Sequence, residues 1–423
     1  MQIVVHRSAA QIGGNVIEVR SRNTRVILDA GRELPPLDGS RRADRMEVEG
    51  LTFGKRAFDA VFLSHHHGDH CGLLDRLLPD IPVYAGRRTS HVLDVIADFT
   101  GGAKRRTRPL EADTVRVGDL TVTPISVEHS SHEAFMFLIQ DEGRDERKRG
   151  KSVLYTGDYR NVDGAVERLR ERVGAEGLDL LITEGTNVAV ESPLFRDEDA
   201  VAAAAEKLMA ECGGTVFVLC SSTNEPRVRA LHAACARAGR TPCHDLFMSA
   251  VRSLLAPADP QPPMRFVAGR VAPERPEKFS HFKAFYDRRQ LVGAERLAKR
   301  PERLTVFVRT SMFPRFEGGS SFMTRFLRER GGEGHALIYS LWGGYKRTEP
   351  MRSVLDFCAE RGIPITDIHS SGHASNEAIR NFLAEAAPRA LIPIHCAPED
   401  RERFRALHEN CILLRDGEAW AVE

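Results

Sequence analysis

The sequence predicts an α/β fold. Short β-branched or aliphatic runs alternate along the chain with helix-period patterns, as expected where strands and helices take turns. Six of those runs end on an ionisable residue. Sheets gather the carboxyl ends of their strands along one edge, where loops form ligand sites, so the second pattern supports the first and points to a shared site.

In order, Met1-Gln2-Ile3-Val4-Val5-His6 reads as an opening strand, and Thr24-Arg25-Val26-Ile27-Leu28 as another that ends in Asp29-Ala30-Gly31. Ala60-Val61-Phe62-Leu63 ends in Ser64-His65-His66-His67-Gly68-Asp69-His70, and Leu120 to Val127 leads to Glu128-His129-Ser130. Ser152-Val153-Leu154-Tyr155 leads to Thr156-Gly157-Asp158, Leu178 to Thr183 leads to Glu184, and Ala390 to Ile394 leads to His395. The charged run Asp141 to Lys151 reads as an exposed loop between strands.

Between Glu184 and His373 the chain holds no ligand cluster but its own α/β pattern. Ala-rich residues from Val201 to Lys207 read as helix, Thr215 to Cys220 as a strand running into the polar turn Ser221 to Asn224, and Glu225 to Ala238 as a helix ended by Gly239. Pro257 to Pro263 form a proline-rich loop, and Thr305 to Val308 and Ala336 to Leu341 supply further strands. This stretch reads as an inserted unit that caps the site.

Composition bounds the function. A chain of 423 residues that is 42% hydrophobic can bury a large core in about two domains. A net charge of +1 with 28% charged residues excludes a globally basic nucleic-acid coat protein, so a polyanion would be held by a local patch or by bound metal. No apolar run approaches about 18 residues, and the N-terminus lacks a signal-peptide pattern, so neither a membrane span nor secretion is expected. Eight cysteines without a CxxC pair argue against a disulfide framework or a thiolate zinc finger, and for a reducing, cytoplasmic setting.

The histidine cluster reads as a metal site. Alternation lets His65 and His67 point one way and His66 another, while Asp69 and His70 begin a second direction of approach, so one segment can serve two adjacent ions. Imidazole and carboxylate donors without thiolate favour zinc, with manganese or iron as alternatives. His129 and Asp158 join by their strand-end positions. His373 sits in the small-residue turn Ser370-Ser371-Gly372-His373-Ala374-Ser375; Ser375 is placed to cap the helix that follows, whose free amides could face an anion. Cys71 and Cys396 read as packing residues.

These residues resemble the metallo-β-lactamase superfamily, whose HxHxDH signature is matched by His65, His67, Asp69 and His70 and whose further motifs are matched by Asp29, His129 and Asp158. Beyond that, the chain resembles the β-CASP nuclease branch, nearest its ribonuclease J-like members, through Glu184, His373 and His395. The resemblance implies a four-layer αβ/βα sandwich made of residues 1–188 and 359–423, interrupted by a β-CASP domain at 189–358. It implies two zinc ions, one held by His65, His67 and His129 and the other by Asp69, His70 and His395, with Asp158 bridging. A hydroxide shared by ions about 3.5–4 Å apart would attack phosphorus in line. Asp29 would orient a ligand histidine, Glu184 would orient His373, and His373, Ser371 and Ser375 would contact the substrate phosphate.

The catalytic set so implied is Asp69, Asp158, Glu184, His373 and His395, acting on single-stranded RNA, and a homodimer is compatible with it. A histidine at the last motif, here His395, goes with RNA-processing members. DNA cleavage, hydrolysis of a small thioester or lactone, and a non-catalytic RNA-binding scaffold are the alternatives. Arginines between Arg265 and Arg352, including Arg288-Arg289 and Arg347, and Trp342 before Gly343-Gly344-Tyr345 offer backbone and stacking contacts. Solvated surface for the arginines and a core position for Trp342 are the simpler reading. Ser130-Ser131-His132-Glu133-Ala134 stands where ribonuclease J relatives carry a proline-containing turn, which leaves exo- versus endonuclease preference open. The short run after His395 implies that the C-terminal oligomerisation domain of larger relatives is absent, as is an N-terminal RNA-binding extension.

Overall fold

The computed structural model describes all residues except 37–43, 45, 111–112, 142–149, 163, 175–176, 192, 260–261, 269–290, 301–302, 317 and 423. Most of the expected loop Asp141 to Lys151, and Arg288-Arg289, therefore lie outside the described residues. Three sheets organise the rest. The first begins with β1 (Gln2–Arg7), β2 (Val16–Arg20), β3 (Arg25–Leu28), β4 (Ala60–Phe62), β5 (Val83–Gly86) and β6 (Arg108–Leu110). The second contains β7 (Val115–Val117), β8 (Leu120–Val127), β9 (Ala134–Asp141), β10 (Ser152–Tyr155) and β11 (Leu180–Glu184).

The chain then leaves the second sheet and builds a third one. It comprises β12 (Val216–Cys220), β13 (Thr241–Asp245), β14 (Met264–Phe266), β15 (Leu291–Val292), β16 (Leu304–Val308), β17 (Ala336–Ser340) and β18 (Ile365–Asp367), in the order β15-β14-β13-β16-β12-β17-β18. All of these pairings are parallel. A parallel sheet is covered on both faces, so its strands read as continuous apolar runs, as Val216–Cys220 and Ala336–Ser340 do, with every residue buried.

Only afterwards does the chain return, adding β19 (Ala390–Ile394) to the second sheet and β20 (Ala419–Ala421) to the first. β19 lies parallel to β11 with Glu184 opposite Ile394, so Glu184 and His395 become neighbours although the whole third sheet separates them in sequence.

The main core lies between the first two sheets, where Ile3, Val5, Phe62 and Val26 meet Phe137, Val153, Ile182 and Ile392. Helices Ala165–Val173 and Asn376–Ala386 cover the outer face of the second sheet through Val166, Leu169, Ile379 and Phe382. On the outer face of the first sheet, Val61, Leu63, Val83 and Ala85 pack under Leu73, Leu77 and Ile81. That is the αβ/βα layering expected of this chain, and the third sheet has its own cores on its two faces. Among the described residues no helix is long and apolar enough to cross a membrane.

Phe137 sits at the centre of the sandwich, fully buried and edge-on to Phe62 with ring centroids 5.8 Å apart. Replacing Phe137 by Ala is expected to cost about 3–5 kcal/mol of stability through the cavity it leaves, read as a lower urea midpoint at unchanged slope.

Candidate metal centre

The loop after β4 is where the fold turns sequence into geometry. The backbone is extended at His67 and then enters the single helical turn Gly68–Cys71. His65 and His67 lie together, ring centroids 4.5 Å apart, while His66 turns away to place Nδ1 2.9 Å from Ser131 Oγ. The helical turn re-aims Asp69 and His70 toward a second position.

Side chains from the other strand ends complete two groups. His65, His67 and His129 form one; Asp69, His70, Asp158 and His395 form the other. A third group, Asp158, Glu184, His373 and His395, overlaps the second, and within each the ligand atoms lie within 4.8 Å of one another. Asp158 Oδ2 is the common point. It lies 3.0 Å from His70 Nε2, 3.7 Å from His373 Nδ1 and His395 Nε2, and 3.9 Å from His65 Nε2 and His129 Nε2.

The outward nitrogens are held. His70 Nδ1 donates to Asp29 Oδ2 at 2.7 Å, and His129 Nδ1 to the Gly372 carbonyl at 2.7 Å. His395 Nδ1 lies 2.8 Å from Thr186 Oγ1 and His65 Nδ1 lies 3.0 Å from Ser64 Oγ. A proton on Nδ1 of His70 and of His129 leaves Nε2 as the free donor pair, which is how metal-binding imidazoles are oriented. Nε2 of His65 and of His70 and Oδ1 of Asp158 are buried without a hydrogen-bond partner among the described residues. Such atoms are costly to leave unsatisfied, at about 1–3 kcal/mol each, and a divalent cation is the group that this donor set fits.

Electrostatics of the first group agree with that reading, while at His70 burial is outweighed by the carboxylates of Asp158, Asp29 and Asp69, which hold that buried imidazole well above its ordinary range. Burial drives His65 and His129 well below the usual imidazole range and takes His67 to about 4, so all three are neutral near pH 7. Burial opposes ionisation of Asp158, yet His395, His70 and His373 hold its carboxyl well below its ordinary value. Burial also opposes the charge on His373, and the Glu184 and Asp158 carboxylates outweigh it, raising that imidazole to about 9. Glu184 touches His373 Nδ1 with both oxygens, at 3.1 and 3.0 Å.

Asp29, which the sequence marked, and further residues that it did not mark hold this constellation. Asp29 is fully buried and accepts from Ser64 N and Ser64 Oγ at 2.7 Å each and from the Tyr155 hydroxyl at 2.5 Å, besides His70. Asn187 Nδ2 donates to Ser371 Oγ at 2.9 Å and to the His373 carbonyl at 3.2 Å. Gly372 must be glycine, since a Cβ there would lie 2.3 Å from Ser130 Oγ and 3.1 Å from His129 Cε1. The polar run Gly185-Thr186-Asn187 after a strand was the available signal for Thr186 and Asn187. Tyr155 had none, being one apolar residue among several.

The groups open into a cleft of about 490 Å³ whose lining includes Asp69, Asp158, His373 and His395 together with Trp342 and Tyr345. A larger and more open depression of about 720 Å³, near Leu208, Cys212 and His335, contains none of these residues. Ser371 borders the cleft, whereas Ser375 borders an adjoining groove of about 160 Å³ shared with Ser371 and His373. The Ser375 hydroxyl accepts from Ala378 N at 3.2 Å, capping the helix Asn376–Ala386. Among the described residues Trp342 belongs to no core; it is partly exposed at the cleft, because the turn after β17 carries it out of the sheet. Glu184 is the last residue of β11 and not the first beyond it. Cys71 and Cys396 are buried among apolar neighbours.

Comparison with known proteins agrees with the fold. Residues 24–219 match the Beta-lactamase superfamily domain. The chain is 28% identical to Ribonuclease J of Sinorhizobium meliloti over 50% of its own length and 37% of that protein. It is 24% identical to Ribonuclease J of Thermus thermophilus over 97% of its length and 70% of that protein. The crystal structure of a protein of unknown function from Enterococcus faecalis V583 has the same fold at a TM-score of 0.76, with 20% identity and 99% of both chains covered.

Replacing Asp29 by Ala removes the acceptor that orients His70. Divalent-metal binding is expected to weaken about 10- to 100-fold, as measured by competition with a chelating dye, while the circular dichroism spectrum keeps its native shape.

Proposed function

Because the chain is a ribonuclease J-like protein of the metallo-β-lactamase superfamily, we propose that it is a metal-dependent ribonuclease that hydrolyses phosphodiester bonds of single-stranded RNA. One observation carries the reading: seven ligand-type side chains, His65, His67, Asp69, His70, His129, Asp158 and His395, converge in two adjoining groups, and His67, Asp69, Asp158 and His395 line a cleft shared with residues at the strand ends of the third sheet. His65, His67 and His129 would hold one divalent cation and Asp69, His70 and His395 a second, with Asp158 between them. Zinc suits those donors. Bound there, the cations supply Lewis acidity and lower the pKa of water.

The chain's own residues do the rest. Asp158 keeps a buried negative charge at the point where the two groups meet. Glu184 holds Nδ1 of His373, so this imidazole stays charged and can offer its remaining N–H to a phosphate oxygen or a leaving group in the cleft. Ser371 borders the cleft and Ser375 the adjoining groove, positions that suit a phosphate backbone passing from one to the other. RNA is favoured over DNA by His395 and by the ribonuclease relatives. Division of the chain into residues 1–188, 189–358 and 359–423 belongs to the same reading, with β18 extending the middle unit's sheet to Asp367, and so does a cytoplasmic location.

Digestion of end-labelled RNA and DNA bearing 5′-monophosphate, triphosphate or hydroxyl ends, with zinc or manganese added, tests this. RNA cleavage is expected to stop with chelator and return with metal, to fall to background in Asp158→Ala and His395→Ala, and to drop about 10²- to 10⁴-fold in His373→Ala. The labelled products separate exo- from endonuclease action. Hydrolysis of a thioester or lactone with no cleavage of nucleic acid under any cation would overturn the reading.

A further inference from the structure

The cleft that the metal-type cluster borders also has aromatic residues in its lining. Trp342 and Tyr345 flank the start of the turn Gly343–Arg347 that follows β17, and both border the cleft that Asp69, Asp158 and His373 share. Their rings meet edge to face, with centroids 5.3 Å apart and planes at 87°.

Three contacts fix this turn. The Trp342 carbonyl accepts from the Tyr339 hydroxyl at 3.0 Å, which anchors its backbone to the end of β17. Lys346 lies 2.7 Å from Asp367 Oδ2 and 4.7 Å from the Tyr339 ring centroid, so the neighbouring cation is committed to the scaffold. The outer edge of the indole rests directly on Gly344, where a Cβ would lie 2.3 Å from Trp342 Cη2 and 2.5 Å from Cζ2 and Cζ3. Any side chain at 344 would push the indole away.

An indole held in place on a glycine, partly wet, and beside a charged site is not packed as a core residue. It is also not a surface accident, because the glycine makes room for it. Tyr345 borders the same cleft and adds a phenolic hydroxyl, a hydrogen-bond donor, to its lining. Cation-binding groups and a flat apolar ring that line one cleft match a ligand that alternates phosphates with planar bases.

We propose that Trp342, seated on Gly344 and braced by Tyr345, is a stacking subsite for an unpaired nucleobase of the substrate strand next to the reacting phosphate. This rests on the nuclease reading and deepens it, since a ring face selects unpaired bases and is indifferent to their identity. A paired base cannot offer its face, so duplex is excluded from this contact.

Trp342 and Trp420 are the chain's two tryptophans, and Trp420 lies on β20, at the edge of the first sheet. In Trp420→Phe, Trp342 is therefore the sole indole reporter. Titrating that metal-loaded protein with hydrolysis-resistant phosphorothioate oligouridylate and oligoadenylate is expected to quench its emission saturably, and the matched duplex is expected to leave it unchanged. In steady-state cleavage, Trp342→Ala is expected to raise KM about 5- to 150-fold, the fold-change that stacking of one base corresponds to, with kcat within about twofold and Trp342→Phe falling between. Normal cleavage by the parent with unchanged emission, or with KM unmoved in Trp342→Ala, overturns the subsite and leaves the nuclease standing. Equal quenching by duplex also overturns it. Absence of binding and cleavage for every nucleic acid overturns the nuclease reading itself.

Discussion

A buried carboxylate, that of Asp158, is the interaction around which the site is built. It is 2% exposed, and its Oδ2 lies between 3.0 and 3.9 Å from five imidazoles. An isolated buried anion costs several kcal/mol, so the fold must bring compensating groups to it from wherever the chain can supply them. They come from the ends of β4, β8 and β19 and from the turn before the helix Asn376–Ala386. Each imidazole that turns one nitrogen inward then needs a partner for the other. Asp29, the Gly372 carbonyl, Thr186 and Ser64 are those partners, and each of them belongs to a different local segment.

That demand accounts for two of the four non-glycine residues with positive φ among the described residues. Asp29 has φ 60° and His395 has φ 49°, both in the left-handed region that a non-glycine residue enters at a cost of about 1–3 kcal/mol. Both stand just past the end of a strand, where a sharp reversal is the only way to aim the side chain at the pocket between the sheets. Asp29 is kept there by the donors its carboxylate accepts. His395 is kept there by its amide, which donates to the Ser8 carbonyl at 2.9 Å, and by Thr186 against its ring.

The residues that gather in the cluster were legible because each sits within a few positions of a short apolar run, and strand ends can be read locally. What holds them was not. Tyr155 reaches Asp29 only because the two sheets pack face to face, and Thr186 meets His395 only through the register of β11 against β19. Trp342 reads as core from its apolar character, but two glycines after it turn the chain away from the sheet. Arg227 was as opaque. In a helix pattern an arginine reads as solvated face, yet Arg227 is fully buried, because its partners arrive from elements far away in sequence.

Arg227 also explains why the inserted sheet matters to the cluster. Its guanidinium donates to Glu198 at 2.5 and 3.1 Å, to Ser340 Oγ at 2.6 Å, to His369 Nδ1 at 3.0 Å and to the Ser370 carbonyl and hydroxyl at 2.9 and 2.8 Å. Glu198 pairs in turn with Arg160, two residues from Asp158, and Arg160 donates to the Ser371 carbonyl at 2.8 Å. The loop that carries His373 is therefore gripped from both sides by arginines sharing one carboxylate. Moving that loop would strip a fully buried guanidinium of its acceptors, a loss of several kcal/mol. The contact between the third sheet's elements and the sandwich thus helps to hold the loop that carries His373, beside the bonds that Glu184 and Asn187 make to that residue.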